Sequence, residues 1–175
     1  MVWFFPIIAI ILFYLLALLQ NSFFIYFNLF GAIPNFIFVL FFIFVFFSKK
    51  NSYYSAIFYA ILAGFFLDVF SSVNLGISVA LLIIIGLLIK KIQSSLNEKE
   101  NNYPFIYFLS LFLISILVYY LSLKACLFFL IPNIINIAID QKLFAEIIYS
   151  LFFAIIGFSV CKKFTKQKTD KNNFI

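Results

Sequence analysis

Long stretches of this chain contain almost no polar residue. Residues 7–19 and 36–47 are two such runs, and neither holds a charged side chain. Strands of a membrane barrel alternate apolar and polar side chains, so these runs predict helices, which satisfy their own backbone groups. Only 10% of the residues are charged, against roughly 25% in soluble domains. We therefore expect an all-α integral membrane protein.

The apolar stretches divide the chain into about six candidate membrane spans. A bilayer core of roughly 30 Å requires about 20 helical residues. Gly31 and Pro34 interrupt the second stretch, so its helix is expected to begin near Pro34, and Pro104 is expected to open the fifth. The candidate spans are residues 2–19, 24–47, 53–70, 75–89, 103–123 and 143–161.

Lysine placement decides how residues 125–139 are interpreted. Cytoplasmic loops beside membrane spans carry an excess of positive charge. Six spans with a cytoplasmic N-terminus leave only Lys124 and Lys142 outside, whereas a seventh span would move the lysine-rich C-terminus outside. Residues 125–139 are therefore predicted to form a short amphipathic helix at the outer interface. Its polar stripe consists of Asn133, Asn136 and Asp140.

One membrane domain, residues 1–163, is thus expected, followed by a lysine-rich cytoplasmic tail, residues 164–175. The first segment lacks a charged beginning and a small-residue cleavage site before Gln20, so we expect it to remain as a span. The chain has no His and no Arg, and Cys126 and Cys161 are too few and too far apart for a metal cluster. We expect no catalytic residue, no cofactor, no metal and no nucleic-acid partner.

Asp68 is the only acidic residue in the apolar region from residue 53 to residue 89. Charged groups at membrane depth are candidates for a functional site. Asp68 also lies close to the predicted start of the fourth helix, where a carboxylate can accept hydrogen bonds from exposed N–H groups. Capping is the favoured interpretation, and a ligand or proton-relay role is the alternative.

Small residues recur at four-residue intervals along the third span. Such a face lets helices approach closely in lipid, where van der Waals packing drives association. The spacing predicts a tight hairpin of the third and fourth spans at the centre of the bundle. The series in the third span is Ser52, Ala56, Ala60 and Gly64, ending at Asp68, and Ser72, Gly76 and Ala80 extend it towards the fourth.

Glu146 lies one turn inside the predicted outer end of the last span. Lys142 is four residues earlier, so an interfacial ion pair is expected. The C-terminal lysines could contact anionic lipids or an acidic partner, although topology already accounts for them.

Residues 31–91 carry a recognisable pattern. It consists of Gly-Ala-Ile-Pro-Asn-Phe at 31–36, lysines at 49 and 50, Gly-Phe-Phe-Leu-Asp-Val-Phe-Ser-Ser at 64–72, Leu-Gly at 75–76 and Lys-Lys at 90–91. The pattern resembles the MreD family, whose members typically have Pro-Asp ahead of a hydrophobic helix and a Gly-rich helix that ends in aspartate. Asn35 and Ser72 stand where the family commonly has aspartate and glycine, and lysines replace its usual arginines.

The resemblance implies a non-enzymatic scaffold in the bacterial inner membrane. It implies work beside MreC, the actin-like MreB, the polymerase RodA and a class B penicillin-binding transpeptidase during cell elongation. The motif positions would be Gly64, Asp68 and Gly76, with Pro34 opening its helix.

Two other classes of function are considered. A substrate-binding subunit of a vitamin-type, energy-coupling importer should carry a small-residue docking face on its first span, where only Ala9 and Ala17 are small. An intramembrane enzyme would need Asp68 to pair with distant Glu146 or Asp140. Both comparisons favour the scaffold.

Overall fold

The computed structural model describes residues 4–28, 31–49, 51–71, 75–95, 105–130 and 141–172. These residues form six helices and no strand, which confirms the all-α membrane fold class. The helices are α1 (Phe4–Ser22), α2 (Phe36–Phe47), α3 (Tyr53–Phe70), α4 (Ile77–Ser95), α5 (Phe105–Leu130) and α6 (Gln141–Asn172).

Four of these helices are long and apolar enough to cross a membrane: α3, α4, and the parts of α5 and α6 at Phe105–Phe129 and Gln141–Lys163. The apolar parts of α1 (Pro6–Ser22) and α2 are shorter. With 12 residues, α2 is only about 18 Å long, against roughly 30 Å of hydrocarbon. The chain is a multi-pass membrane protein in which one helix is too short to span alone.

The short helix α2 lies at the centre of the bundle. It contacts all five other helices, while α3 also packs on α1 and α4, and α5 packs on α4 and α6. Its phenylalanines pack on aromatic rings of α5, where Phe42 lies 5.3 Å from Phe108 and 5.1 Å from Phe112 between ring centroids, both edge-on. Aromatic packing thus surrounds α2 on the side that faces α5.

The predicted break in the second stretch is confirmed. Residues 23–27 form turns, Gly31 adopts a positive φ of 75°, and α2 begins at Phe36, two residues after Pro34. Pro104, expected to open the fifth helix, lies outside the described residues, and α5 is described from Phe105.

At the other end of the chain, two boundaries differ from those predicted. Helix α5 continues through residues 125–130 instead of ending near Leu123, and α6 continues through residues 164–172 as helix. Neither segment contains a proline or glycine, the two residues that most strongly disfavour a helix, so the helix continues through each of them. Asn133, Asn136 and Asp140 of the predicted interfacial helix lie outside the described residues.

Candidate functional site

Asp68, near the C-terminal end of α3, closes the beginning of α4. The residue is 2% exposed, and its carboxylate accepts hydrogen bonds from the backbone N–H groups of Gly76, at 2.7 Å, and Ser78, at 3.0 Å. The first N–H groups of a helix have no partner within it and carry partial positive charge, so an acceptor from α3 stabilises them. The predicted capping role of Asp68 is confirmed.

Gly76 is required by the backbone at this junction. Its φ is +103°, a value that disfavours any residue with a Cβ, and its carbonyl accepts the N–H of Ala80 at 3.0 Å. An added Cβ would meet no atom within 4 Å, so the constraint is conformational and not steric. Gly76 and Asp68 together form the turn that starts α4.

The small residues of α3 lie against α4. Ala56 and Ala60 are fully buried. A Cβ added to Gly64 would overlap Val79, because it would lie 2.6 Å from the Val79 backbone nitrogen. On α4, Gly86 completes the close approach, since an added Cβ would be 3.5 Å from the Ala56 carbonyl oxygen. The hairpin is therefore packed backbone against backbone.

The extension of that small-residue series onto α4 is wrong at Ala80, which is exposed. The turn before Ile77 interrupts the helix, so a four-residue spacing counted across it does not keep a constant face. Val79 and Gly86 form the contact instead. Ser72 lies outside the described residues, and Ser52 is the N-cap of α3 without a capping hydrogen bond from its side chain.

Helix α5 is attached to the same end of α4 through a buried polar contact. The Tyr119 hydroxyl donates to the Ser78 hydroxyl at 3.3 Å, and both side chains are buried. Ser78 therefore links two helices to the start of α4: its backbone N–H donates to Asp68 of α3, and its hydroxyl accepts from Tyr119 of α5. Sequence reasoning did not identify Tyr119 as a site residue, because tyrosines are common in this chain.

The beginning of α2 is closed by Asn35 and by residues from two other helices. Asn35 is the N-cap, and its side-chain oxygen accepts the N–H of Phe38 at 3.0 Å. Its own N–H donates to the Ser150 hydroxyl on α6 at 2.9 Å, and the N–H of Phe36 donates to the Gln20 side-chain oxygen on α1 at 3.0 Å. Because aspartate and asparagine cap helices about equally well, the N-cap contact needs no charge at this position.

Pro34 immediately precedes this cap. The sequence placed it at the opening of the helix, and the structure places it two residues before Phe36, buried, with its carbonyl accepting the Phe36 N–H at 3.1 Å. Its fixed φ and missing donor suit the residue that leads into a buried helix start.

The end of α2 is closed by two buried residues of α4. The Lys90 ammonium group, with no exposed surface, donates to the carbonyls of Ser48 at 3.0 Å and Lys49 at 3.1 Å, and to the Gln93 side chain at 3.1 Å. Gln93 donates to the Phe46 carbonyl at 3.0 Å. A cation at a helix C-terminus complements the partial negative charge there.

In the sequence, Lys90 was singled out as a positive charge and as part of the Lys-Lys pair at 90–91, and Gln93 was not singled out. Their three-residue spacing at the end of an apolar helix was the signal that could have found them.

Glu146 interacts with a second residue besides the one predicted. Its carboxyl group interacts with the Tyr120 hydroxyl of α5 as well as with the charge of Lys142, and that hydroxyl accepts a hydrogen bond from the Asn35 side chain at 3.4 Å. Lys142 is exposed and acts on Glu146 only through its charge. Glu146 thus contacts α5 in addition to the charge of Lys142, and a close ion pair with Lys142 stays a prediction.

These contacts hold helix ends together. Asp68 serves α4 and Glu146 contacts α5, while Asp140, the third acid considered, lies outside the described residues. Within the described ranges, no three His, Cys, Asp or Glu side chains converge as metal ligands would. The site, defined as the capping residues Gln20, Asn35, Asp68, Lys90, Gln93 and Ser150, organises the bundle around α2 and α4.

Comparison with known proteins agrees with the pattern found at residues 31–91. A family model described as rod shape-determining protein MreD matches residues 1–166, which is most of the chain. No curated protein and no solved structure gives a significant match.

Proposed function

The chain belongs to the MreD family of rod shape-determining proteins, and from this membership we propose that it is a non-enzymatic membrane scaffold of the bacterial cell-elongation complex. A part in rod shape determination follows from the family itself. The scaffold role adds that the chain contributes a rigid packed surface to the complex that builds peptidoglycan along the cell.

The observation that carries the proposal is the way α2 is held. Its two ends are capped by side chains from α1, α4 and α6, in addition to its own N-cap. Buried hydrogen bonds between helices restrict their relative movement, because breaking one in lipid leaves polar groups without a partner. The described polar side chains at these helix ends are thus used to hold one shape.

The expected partners are MreC, RodA and the class B transpeptidase, with MreB contacted indirectly. The broad exposed apolar faces of the outer helices are surfaces that either lipid or partner spans can cover. Anionic lipids are expected at the lysine-rich end.

We expect the chain to lie in the inner membrane with both termini in the cytoplasm. Lys90 reaches the carbonyl of Ser48, and the rings of Phe47 and Phe158 lie 5.7 Å apart, so α2, α4 and the lysine-rich part of α6 share one end of the bundle. Lys124 lies near the C-terminal end of α5, and Lys142 lies in the first turn of α6. This distribution supports a cytoplasmic location for the lysine-rich end.

The test is an affinity pull-down from gently solubilised membranes of a rod-shaped bacterium, comparing wild type with Gly64→Leu. Gly64→Leu forces α3 and α4 apart because Val79 occupies the space of any side chain at this position. The control is Phe65→Leu, one residue along and exposed on the outside of α3. Asp68→Asn forms a milder third variant.

Recovery of MreC or the RodA–transpeptidase pair with wild type and Phe65→Leu, and its reduction with Gly64→Leu, would support the scaffold. In cells depleted of their own copy, wild type and Phe65→Leu should restore rod shape, and Gly64→Leu should fail to restore it. Recovery of an energy-coupling transmembrane subunit with its ATPases would contradict the proposal and assign the chain to a vitamin-type importer.

A further inference from the structure

A narrow cleft of about 220 Å³ lies between α4 and α5. Its floor is buried and includes Ile85, Ile89 and Leu111, whereas Leu88, Ile92 and Ile114 form a rim whose side chains are largely exposed. Ser110 also lines it, but its hydroxyl donates to the Tyr107 carbonyl of its own helix at 3.1 Å. The cleft is therefore an apolar slot open towards the lipid-facing side of two candidate spans.

The shape of the cleft selects among apolar occupants. Its lining runs along α5 from Tyr107 to Val118, about 16 Å at 1.5 Å per residue. A helical segment of that length, about 10 Å across with its side chains, would occupy several times the 220 Å³ of the cleft. The cleft therefore cannot enclose a partner helix, whereas a single hydrocarbon chain can lie along its apolar lining.

Charge near one end of the cleft indicates the headgroup. Lys91 follows the lining residues Leu88 and Ile89, precedes Ile92, and is exposed, whereas its neighbour Lys90 is buried and fully engaged at the end of α2. An exposed lysine at the end of an apolar helix attracts anionic headgroups. The position of this exposed lysine on α4, next to lining residues at one end of the cleft, favours a lipid with an anionic headgroup over a neutral lipid.

We propose that the cleft between α4 and α5 binds one acyl chain of an anionic phospholipid whose headgroup lies beside Lys91. This lipid site is separate from the scaffold role, since it involves neither Gly64 nor the capping residues of α2. The bound lipid would fill the slot and complete the packing of α4 against α5 at its outer side.

Native mass spectrometry of the full chain in detergent tests this, with phosphatidylglycerol and phosphatidylethanolamine supplied in equal amounts. We expect wild type to retain one phosphatidylglycerol preferentially. Ile114→Trp, which places a bulky ring on the rim, should abolish that retention. Ile106→Trp is the matched control, because Ile106 lies on the same helix, is 77% exposed and does not line the cleft.

Lys91→Gln should reduce the preference for phosphatidylglycerol roughly fivefold, the effect of one lysine near an anionic surface. Lys163→Gln, which alters an exposed lysine of α6, should leave it unchanged. Equal retention by the two tryptophan variants, or an unchanged preference in Lys91→Gln, would overturn the proposal. So would a photocrosslinker at position 110 that captures protein and not lipid. Circular dichroism and gel filtration of each variant show whether it is folded.

Discussion

Helices α1 and α2 both lack charged residues, yet they occupy different environments. Much of α1 is exposed on the outside of the bundle, including Ile7, Ile11 and Leu15, whereas nine of the twelve residues of α2 are buried. In lipid an apolar side chain is equally compatible with a neighbouring protein helix or with acyl chains. Apolarity alone therefore does not decide which helix is central.

The ends of the two helices show the difference. Helix α1 ends locally: the Asn21 side chain donates to the Ala17 carbonyl at 2.9 Å, and the Phe23 N–H donates to the Leu19 carbonyl at 3.0 Å. Helix α2 is closed largely by residues of other helices, among them Gln20, Lys90 and Ser150. A helix of about 18 Å has at least one end below the membrane surface, where no water reaches its terminal N–H and C=O groups. Neighbouring helices must therefore supply the hydrogen-bond partners of these groups.

The largest expected effect concerns how much a side chain of each helix contributes to stability through packing. Phe41→Ala in α2 removes a fully buried ring and should lower the free energy of unfolding by about 4 kcal/mol, because the cavity is enclosed by the bundle. Leu15→Ala in α1, where the side chain is 54% exposed, should change it by less than about 0.5 kcal/mol. Unfolding in mixed micelles measures both. Equal losses would mean that α2 is no more central than α1.

The second prediction concerns the C-terminal end of α2. Lys90→Met should cost about 3 kcal/mol, because it leaves the carbonyls of Ser48 and Lys49 and the Gln93 side chain without their buried donor. Lys91→Met removes the adjacent exposed lysine and serves as the control in the same unfolding assay. If both variants unfold alike, the buried ammonium group does not stabilise α2.

The third prediction extends the comparison to α4, which begins at a carboxylate from another helix. Asp68→Ala should cost about 2 kcal/mol, since two backbone N–H groups lose a charged acceptor. Asp68→Asn keeps one acceptor oxygen and should lose about half as much. Hydrogen exchange at Gly76 and Ser78 should accelerate in both variants, and unchanged protection there would contradict the cap.

The smallest expected effect concerns Asn35, the N-cap of α2. Asn35→Asp should change stability by less than about 0.5 kcal/mol, while Asn35→Ala should cost about 1 kcal/mol, because only alanine lacks the acceptor for the Phe38 N–H. Thermal unfolding of the two variants side by side is the measurement. An equally large loss with aspartate would show that the amide contact with Tyr120, and not the cap, is what Asn35 contributes.

Sequence reasoning succeeded where the signal is local. The helices, the break before α2, the close approach of Gly64 and the capping by Asp68 depend on residues near one another in the chain. It failed at Ala80 and missed the contact of Glu146 with α5, because a helix face or a contact between helices depends on how distant elements are oriented. The capping role of Lys90 was not found, because its acceptors are about 40 residues away in the chain.

Apolar runs, lysine positions and the residues from 31 to 91 by themselves determined an all-α membrane protein and indicated its family. Which helix lies at the centre, and which polar side chains close its ends, was decided only by the tertiary structure. The physical reason is that lipid accepts any apolar face, so hydropathy marks the spans without ordering them. The order follows from buried backbone groups that must find partners, and those partners come from other helices.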